Sequence, residues 1–231
     1  MNFLKKFWRF KRIINMFDDK IKFAINNFFQ SDCFLTCSTQ YELKEEQKNG
    51  KALIKLNVNT TEKICFQHFD NEKIWDFKFL KIKKAVDHFL LKKSDRHWEL
   101  HMIEIKRTVD SNNWLKIKNQ ISESYLKIKS LIVMLGIFLE DNNIIAYTAY
   151  ENDTLSLLDR NNSVINRAMS KFGSKAINIK DEWQADFIDI PIITAPYGKE
   201  VFVKIRHKKI KIFYSKENEQ LEGILNLDKD F

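Results

Sequence analysis

Between Lys84 and Lys106 the chain reads KAVDHFLLKKSDRHWELHMIEIK, two apolar runs divided by a short charged stretch. That pattern predicts a β-hairpin, with Ala85 to Leu91 as one strand, Trp98 to Lys106 as the other, and Lys93-Ser94-Asp95-Arg96-His97 between them. Strands this apolar are commonly buried on both faces. Asp87, Glu104 and Lys106 nevertheless lie inside the apolar runs, far from the turn. A buried charge is costly unless it is paired or holds a metal. Glu99 is close enough to the turn to reach water and needs no such explanation.

Hairpin geometry relates the three. A loop of Ser94 to His97 sets Lys93 opposite Trp98 and therefore Asp87 opposite Glu104. A two-residue slip keeps the acids diagonal neighbours, within about 8 Å. A one-residue slip sends them to opposite faces. Glu104 and Lys106 share a face because strand side chains alternate. Two facing carboxylates repel unless a cation lies between them or one is protonated. A hard divalent cation such as Mg²⁺ takes oxygen ligands of this kind. A lysine beside it can orient or deprotonate a water, or hold a phosphate. The competing reading is an ordinary cross-strand ion pair of Asp87 with Lys106, worth at most about 1 kcal/mol if exposed.

Asp87 … Glu104-Ile105-Lys106 on adjacent strands resembles the signature of the PD-(D/E)XK nuclease superfamily, with Val86 standing where the family name has Pro. The resemblance covers about residues 78–150. It implies an α/β, restriction-endonuclease-like core: a mixed central sheet flanked by helices, here with extra β-strands and an N-terminal amphipathic helix. It further implies a helix after the Glu-x-Lys strand that carries Gln120, in Gln120-Ile121-Ser122-Glu123-Ser124-Tyr125. Four residues separate this Gln from the Tyr, where some branches of the family have three. On this reading Asp87, Glu104, Lys106 and Gln120 are catalytic. Asp87, Glu104 and the Ile105 carbonyl hold Mg²⁺, for which Mn²⁺ can substitute. The activity is hydrolysis of phosphodiester bonds in nucleic acid, DNA ahead of RNA, with a homodimer as the analogous assembly. The setting is bacterial or mobile-element restriction, repair or antiviral defence, in the cytoplasm. The family places a helix before its first core strand that often bears a further acid, which Asp18 or Asp19 would supply; Asp70 and His68 are also candidates. Two alternatives remain. One is a non-catalytic module on the same fold that binds nucleic acid or protein; the other is an interaction protein of the antitoxin or immunity type.

The rest of the chain is consistent with one domain over residues 1–231, with a core at about 30–150 and a C-terminal elaboration at 151–231. A net charge of +8 favours polyanionic partners, although the Lys, Asn and Ile excess also fits an AT-rich coding sequence. Lys81, Lys83 and Lys84 at the entrance to the hairpin, and Lys204, Arg206, Lys208 and Lys209 within VFVKIRHKKIKIF, are the candidate phosphate contacts. The second cluster would equally suit a solvated sheet edge protected by lysine. Cys33, Cys37 and Cys65 form no complete metal set and read as free thiols. No secretory signal is visible, and the longest apolar run, Leu131 to Leu139, falls far short of the ~20 residues that span a bilayer.

Helix is predicted over residues 1–30, where Phe3, Phe7, Phe10, Ile14, Phe17, Ile21, Ile25 and Phe28 form one stripe that packs on the core or a second subunit, with membrane-surface binding the less favoured alternative. A β-meander is predicted over residues 32–70, turning at Asn49-Gly50. A helix capped by Asp110 or Ser111 should run to about Phe138, with Trp114, Ile117, Ile121, Ser124, Ile128, Leu131 and Leu135 buried. Lys116, Lys118, Lys127 and Lys129 are placed outward. A strand over Ile144 to Tyr150 follows, parallel to the Glu104 strand. Leu155 to Phe172 reads as helix, and Pro191 to Pro196 as an irregular segment.

Overall fold

The computed structural model describes residues 19–28, 34–35, 39–47, 50–60, 63–66, 69, 84–94, 97–157, 179–194 and 199–227. The protein is mixed α/β. A seven-stranded sheet has the order β1-β4-β5-β6-β7-β9-β8, formed by Phe34–Leu35, Lys63–Phe66, His88–Ser94, His97–Val109, Ile144–Asp153, Lys199–Lys211 and Phe187–Thr194 respectively. A second sheet of four strands has the order β10-β11-β3-β2: Phe213–Ser215, Gln220–Asn226, Gly50–Asn57 and Gln40–Gln47.

The β5–β6 hairpin has the register expected from its sequence, with Lys93 opposite Trp98 and His88 opposite Ile103. Strand alternation in β6 then divides two cores. Trp98, Leu100 and Met102 join one cluster with Trp114, Ile117, Ile121 and Ile128 of α2 (Ser111–Met134). Ile103 and Ile105 join another with Leu43, Ile54, Leu56 and Leu225 of the second sheet. One face of the main sheet is therefore covered by helix and the other by a sheet. The expected sheet flanked by helices with extra β-strands is thus met as a mixed α/β fold, with the extra strands gathered into a second sheet. Gly223 of β11 faces inward there, where a Cβ would lie 2.5 Å from Ile212 Cγ2, so only glycine fits without a shift.

The long helix forms as its stripe predicts. Asp110 caps it, accepting from the Asn113 backbone N–H at 2.7 Å, and all seven of the expected apolar-face residues are buried. It ends at Met134, short of Phe138, because Gly136 adopts φ +69, the left-handed conformation that closes a helix. β6, β7 and β9 run parallel to one another, as a helical crossover requires. Of the N-terminal helix, Asp19–Phe28 (α1) is described; Ile21 and Ile25 pack in the core as expected, and the stripe from Phe3 to Phe17 lies outside the described residues.

Several expectations change. Residues 32–70 are no meander: β2 and β3 form the expected hairpin, but β4 leaves it to join the main sheet beside β5. The C-terminal third is no peripheral elaboration, since it supplies β8 and β9 to the main sheet and β10 and β11 to the second. β9 is an interior strand between β7 and β8, and is not a lysine-protected edge. Pro191 stands within β8, opposite Phe202, and not in an irregular segment. β8 is the edge strand, where a residue without an N–H costs no ladder bond. Lys127 is buried, with its ammonium 5.9 Å from the Phe69 ring centroid, and Lys118 is largely buried against Glu182 of α3 (Ile179–Gln184). The helix expected from Leu155 is a turn through Leu157, and its remainder lies outside the described residues. Among the described residues no helix is long and apolar enough to cross a membrane.

Candidate active site

Asp87, Glu104, Lys106 and Gln120, named from the sequence, are brought together. Asp87 sits at the bend just before β5, and the hairpin register carries it across from Glu104. Its Oδ2 accepts from the Ile105 backbone N–H at 2.7 Å, so the carboxylate takes the place of a ladder acceptor at the strand's start. Ser124 of α2 fixes the approach: its Oγ accepts from the Val86 N–H at 2.7 Å. Gln120, one helical turn earlier, donates to the Ala85 carbonyl at 3.0 Å. The helix thus clamps the segment that delivers Asp87, and the same Gln120 amide helps hold charge on Glu104.

The two acids are buried, Asp87 at 3% exposure and Glu104 at 0%. The Lys106 ammonium lies against Glu104 Oε1, and neither Glu104 oxygen has a well-formed hydrogen bond. Burial pushes the Glu104 carboxyl up to about 7, against the opposing pull of Lys106 and Gln120. Burial and the Glu104 charge together raise Asp87 well above the ordinary carboxylate range. Burial pulls the Lys106 ammonium down, but Glu104 and Asp87 more than offset this, and it stays protonated. Of the roles open to Lys106, orienting a water or holding an anion therefore fits better than removing a proton.

Two buried carboxylates that resist ionisation, one with both oxygens short of donors, are a donor set suited to a hard cation. The residues present fit Mg²⁺ or Mn²⁺ held by Asp87, Glu104 and the Ile105 carbonyl. Among the described residues no three His, Cys, Asp or Glu side chains converge to cage an ion by themselves, so water or substrate oxygens would complete its shell.

Sequence reasoning missed three residues here. Glu45 of β2 projects enough field at the site to raise both Asp87 and Lys106. It falls on the same strand face as Tyr41 and Leu43, which are buried, and that spacing was the available signal. Thr148 of β7 pairs with Glu104 in register, and its Oγ1 lies 2.9 Å from His207 Nε2. Both are buried, and burial, aided by Lys209, pushes His207 down to about 3, so its ring is neutral. No local pattern joins residues of β6, β7 and β9, so nothing in the sequence pointed to this row.

Other expected site residues go elsewhere. Asp19 is exposed on α1 beside Val133 and Met134, about 20 Å along the helix from Gln120, and cannot reach the acids. Asp18, His68, Asp70, Lys81 and Lys83 lie outside the described residues, while Lys84 is exposed, its backbone N–H bound by Glu123. Lys204, Arg206 and Lys208 alternate onto the face of β9 away from α2; Lys204 and Arg206 lie over the Phe187 ring there. Lys209 shares the face of Glu104.

Glu99, expected to reach water, is buried at 4% exposure on the face toward the second sheet. Lys92 lies 3.5 Å from it, and His97 and His101 each 3.3 Å. Burial works to raise its carboxyl, but hydrogen bonds from His101 and Ser94 and the Lys92 charge hold it at about 2. This network is internally satisfied, with His101 Nδ1 also 3.1 Å from the Tyr147 hydroxyl, and reads as a structural ion cluster.

Comparison with protein-family models, with curated proteins and with solved structures gave no match.

Proposed function

We propose that the chain is a divalent-metal-dependent nuclease of the PD-(D/E)XK kind, hydrolysing phosphodiester bonds in nucleic acid, with DNA preferred to RNA. The observation that carries this reading is the convergence of Asp87 and Glu104, two buried carboxyl groups from neighbouring segments that resist ionisation, with Lys106 beside them. An exposed cross-strand ion pair would show no such burial and is the poorer explanation.

Mg²⁺, when bound, would polarise the scissile phosphate and acidify a water. The chain's own residues would do the rest. Asp87, fixed by the Ile105 N–H, and Glu104, on the strand that follows, would hold the cation between them. Lys106, one strand step beyond Glu104 and 21% exposed at its side chain, would place its ammonium on the phosphoryl oxygens, where negative charge grows. Gln120 and Ser124 would keep the hairpin entrance rigid so that the two acids stay aligned. One such site cuts one strand, so duplex cleavage would call for a second copy.

Purified protein incubated with labelled duplex DNA, single-stranded DNA and RNA in Mg²⁺ or Mn²⁺ is expected to cleave DNA, and to stop when EDTA is added. Cleavage that persists in EDTA would count against the metal. Salt-sensitive binding to DNA with no turnover under any divalent ion would favour the non-catalytic module instead.

A further inference from the structure

The strand registers divide the basic cluster of β9 between two faces, and one half continues the row of acids. Reading across the parallel strands β6, β7 and β9, Glu104 pairs with Thr148 and Thr148 with Lys209. One strand step further on, Lys106 pairs with Tyr150 and Tyr150 with Lys211. All of these project to the α2 side of the sheet, since they alternate with Ile105, Ala149 and Ile210 of the opposite core. They also lie toward the C-terminal ends of three parallel strands, where open α/β sheets bind their ligands.

We propose that Lys209 and Lys211 form a track for the phosphate backbone of the nucleic acid, running from Lys106 over Tyr150 across the ends of β7 and β9. The inference rests on the nuclease reading and specifies where its substrate lies. Neighbouring strands are about 4.8 Å apart, so Lys106 and Lys211 stand roughly 10 Å apart across the sheet, a span of one to two phosphates along a strand.

The two lysines are held for this role. Lys209 donates to the Trp183 and Gln184 carbonyls at 3.1 and 3.2 Å and lies over the Trp183 ring. Lys211 donates to the Glu151 carbonyl and sits 5.1 Å from the Tyr150 ring centroid. Carbonyl and ring contacts fix an ammonium without cancelling its charge, and each ammonium has three donors. Among the described residues neither is paired with a carboxylate. The nearby acids are occupied: the Glu151 carboxylate takes Arg107, and Asp153 accepts from Ser156 and Trp183. Lys204 and Arg206 point to the other face and take no part.

The test is fluorescence anisotropy with labelled duplex and single-stranded DNA of one sequence, in EDTA so that no cleavage intervenes, over a series of salt concentrations. Lys209→Gln and Lys211→Gln are each expected to weaken binding about 3–10-fold and to reduce the salt slope by about 1, while Lys204→Gln and Arg206→Gln leave both unchanged. Lys211→Arg, which keeps the charge, should bind like the parent, and thermal melts should show all variants folded. If the parent binds DNA but Lys209→Gln and Lys211→Gln bind equally well, the track is overturned and the nuclease reading stands. If the parent binds neither probe, the nuclease reading falls and takes the track with it.

Discussion

Replacing Glu104 with Gln is expected to lower metal-dependent cleavage by about 10³-fold or more, while DNA binding in EDTA stays within about twofold of the parent. The asymmetry follows from where Glu104 sits. Its side chain is fully buried, and among the described residues its closest polar neighbour is the Lys106 ammonium. It does little for the fold that a neutral amide of the same shape could not do, so its loss should register in chemistry and not in folding. Lys106→Ala should cost about 10²–10³-fold, because an ammonium facing developing phosphoryl charge is lost. Lys106→Arg is not expected to restore the rate fully, since a planar guanidinium cannot occupy the place of a compact ammonium against Glu104. Both rates are measured as initial velocities at saturating Mg²⁺, with circular dichroism as the check on folding. Parent-like cleavage by Glu104→Gln would show that the strand pair is not the reaction centre.

The second large effect concerns stability, and its sign is set by the raised carboxyl. Glu104 has an ordinary value of 4.5 and a folded value of about 7. A carboxyl that holds its proton more tightly when folded does not destabilise the protein below its unfolded value. Its penalty grows through the interval and is complete above the folded value. The metal-free protein should therefore lose on the order of 2–3 kcal/mol between pH 4.5 and 7 on account of this group. Asp87, raised for the same reasons, adds to the loss. His207 works the other way: its value lies below the ordinary 6.5, so it destabilises progressively as pH falls from 6.5 toward 3. The two windows overlap, and the parent curve alone does not separate them. The difference between parent and Glu104→Gln does. In EDTA the variant should match the parent near pH 4.5 and melt higher above pH 7, by about 2–4 °C for each kcal/mol recovered. Saturating Mn²⁺ should raise the parent at pH 7.5 and leave the variant almost unmoved. A pH-independent difference would mean that Glu104 and Lys106 form a simple structural pair.

The features that position the site were largely legible in the sequence, because they are local. The hairpin's register follows from the length of its loop, and with it the meeting of Asp87 and Glu104. The helix stripe from Trp114 to Leu135 follows from spacing and its Asp110 cap from residue type, whereas Gln120 was singled out through the family resemblance. What sequence reasoning missed depends on pairing over long separations. β11 joins β3 in parallel and β9 inserts between β7 and β8, and no short pattern announces either. The charge pattern misled for the same reason. Lys118 and Lys127 look solvated in the chain, yet each gains its partner from an element distant in sequence: Glu182 and Phe69. The β9 lysines read as one cluster until the sheet assigned alternate members to opposite faces.

The most direct test of the shared cation is a crystal of the protein soaked in saturating MnCl₂ and measured at the manganese absorption edge. The expected result is one anomalous peak within coordination distance of an Asp87 oxygen and a Glu104 oxygen, absent from a Glu104→Gln crystal treated identically. A parent crystal with no peak there, its two carboxylates turned apart and Lys106 still lying on Glu104, would contradict the metal site and the nuclease reading built on it.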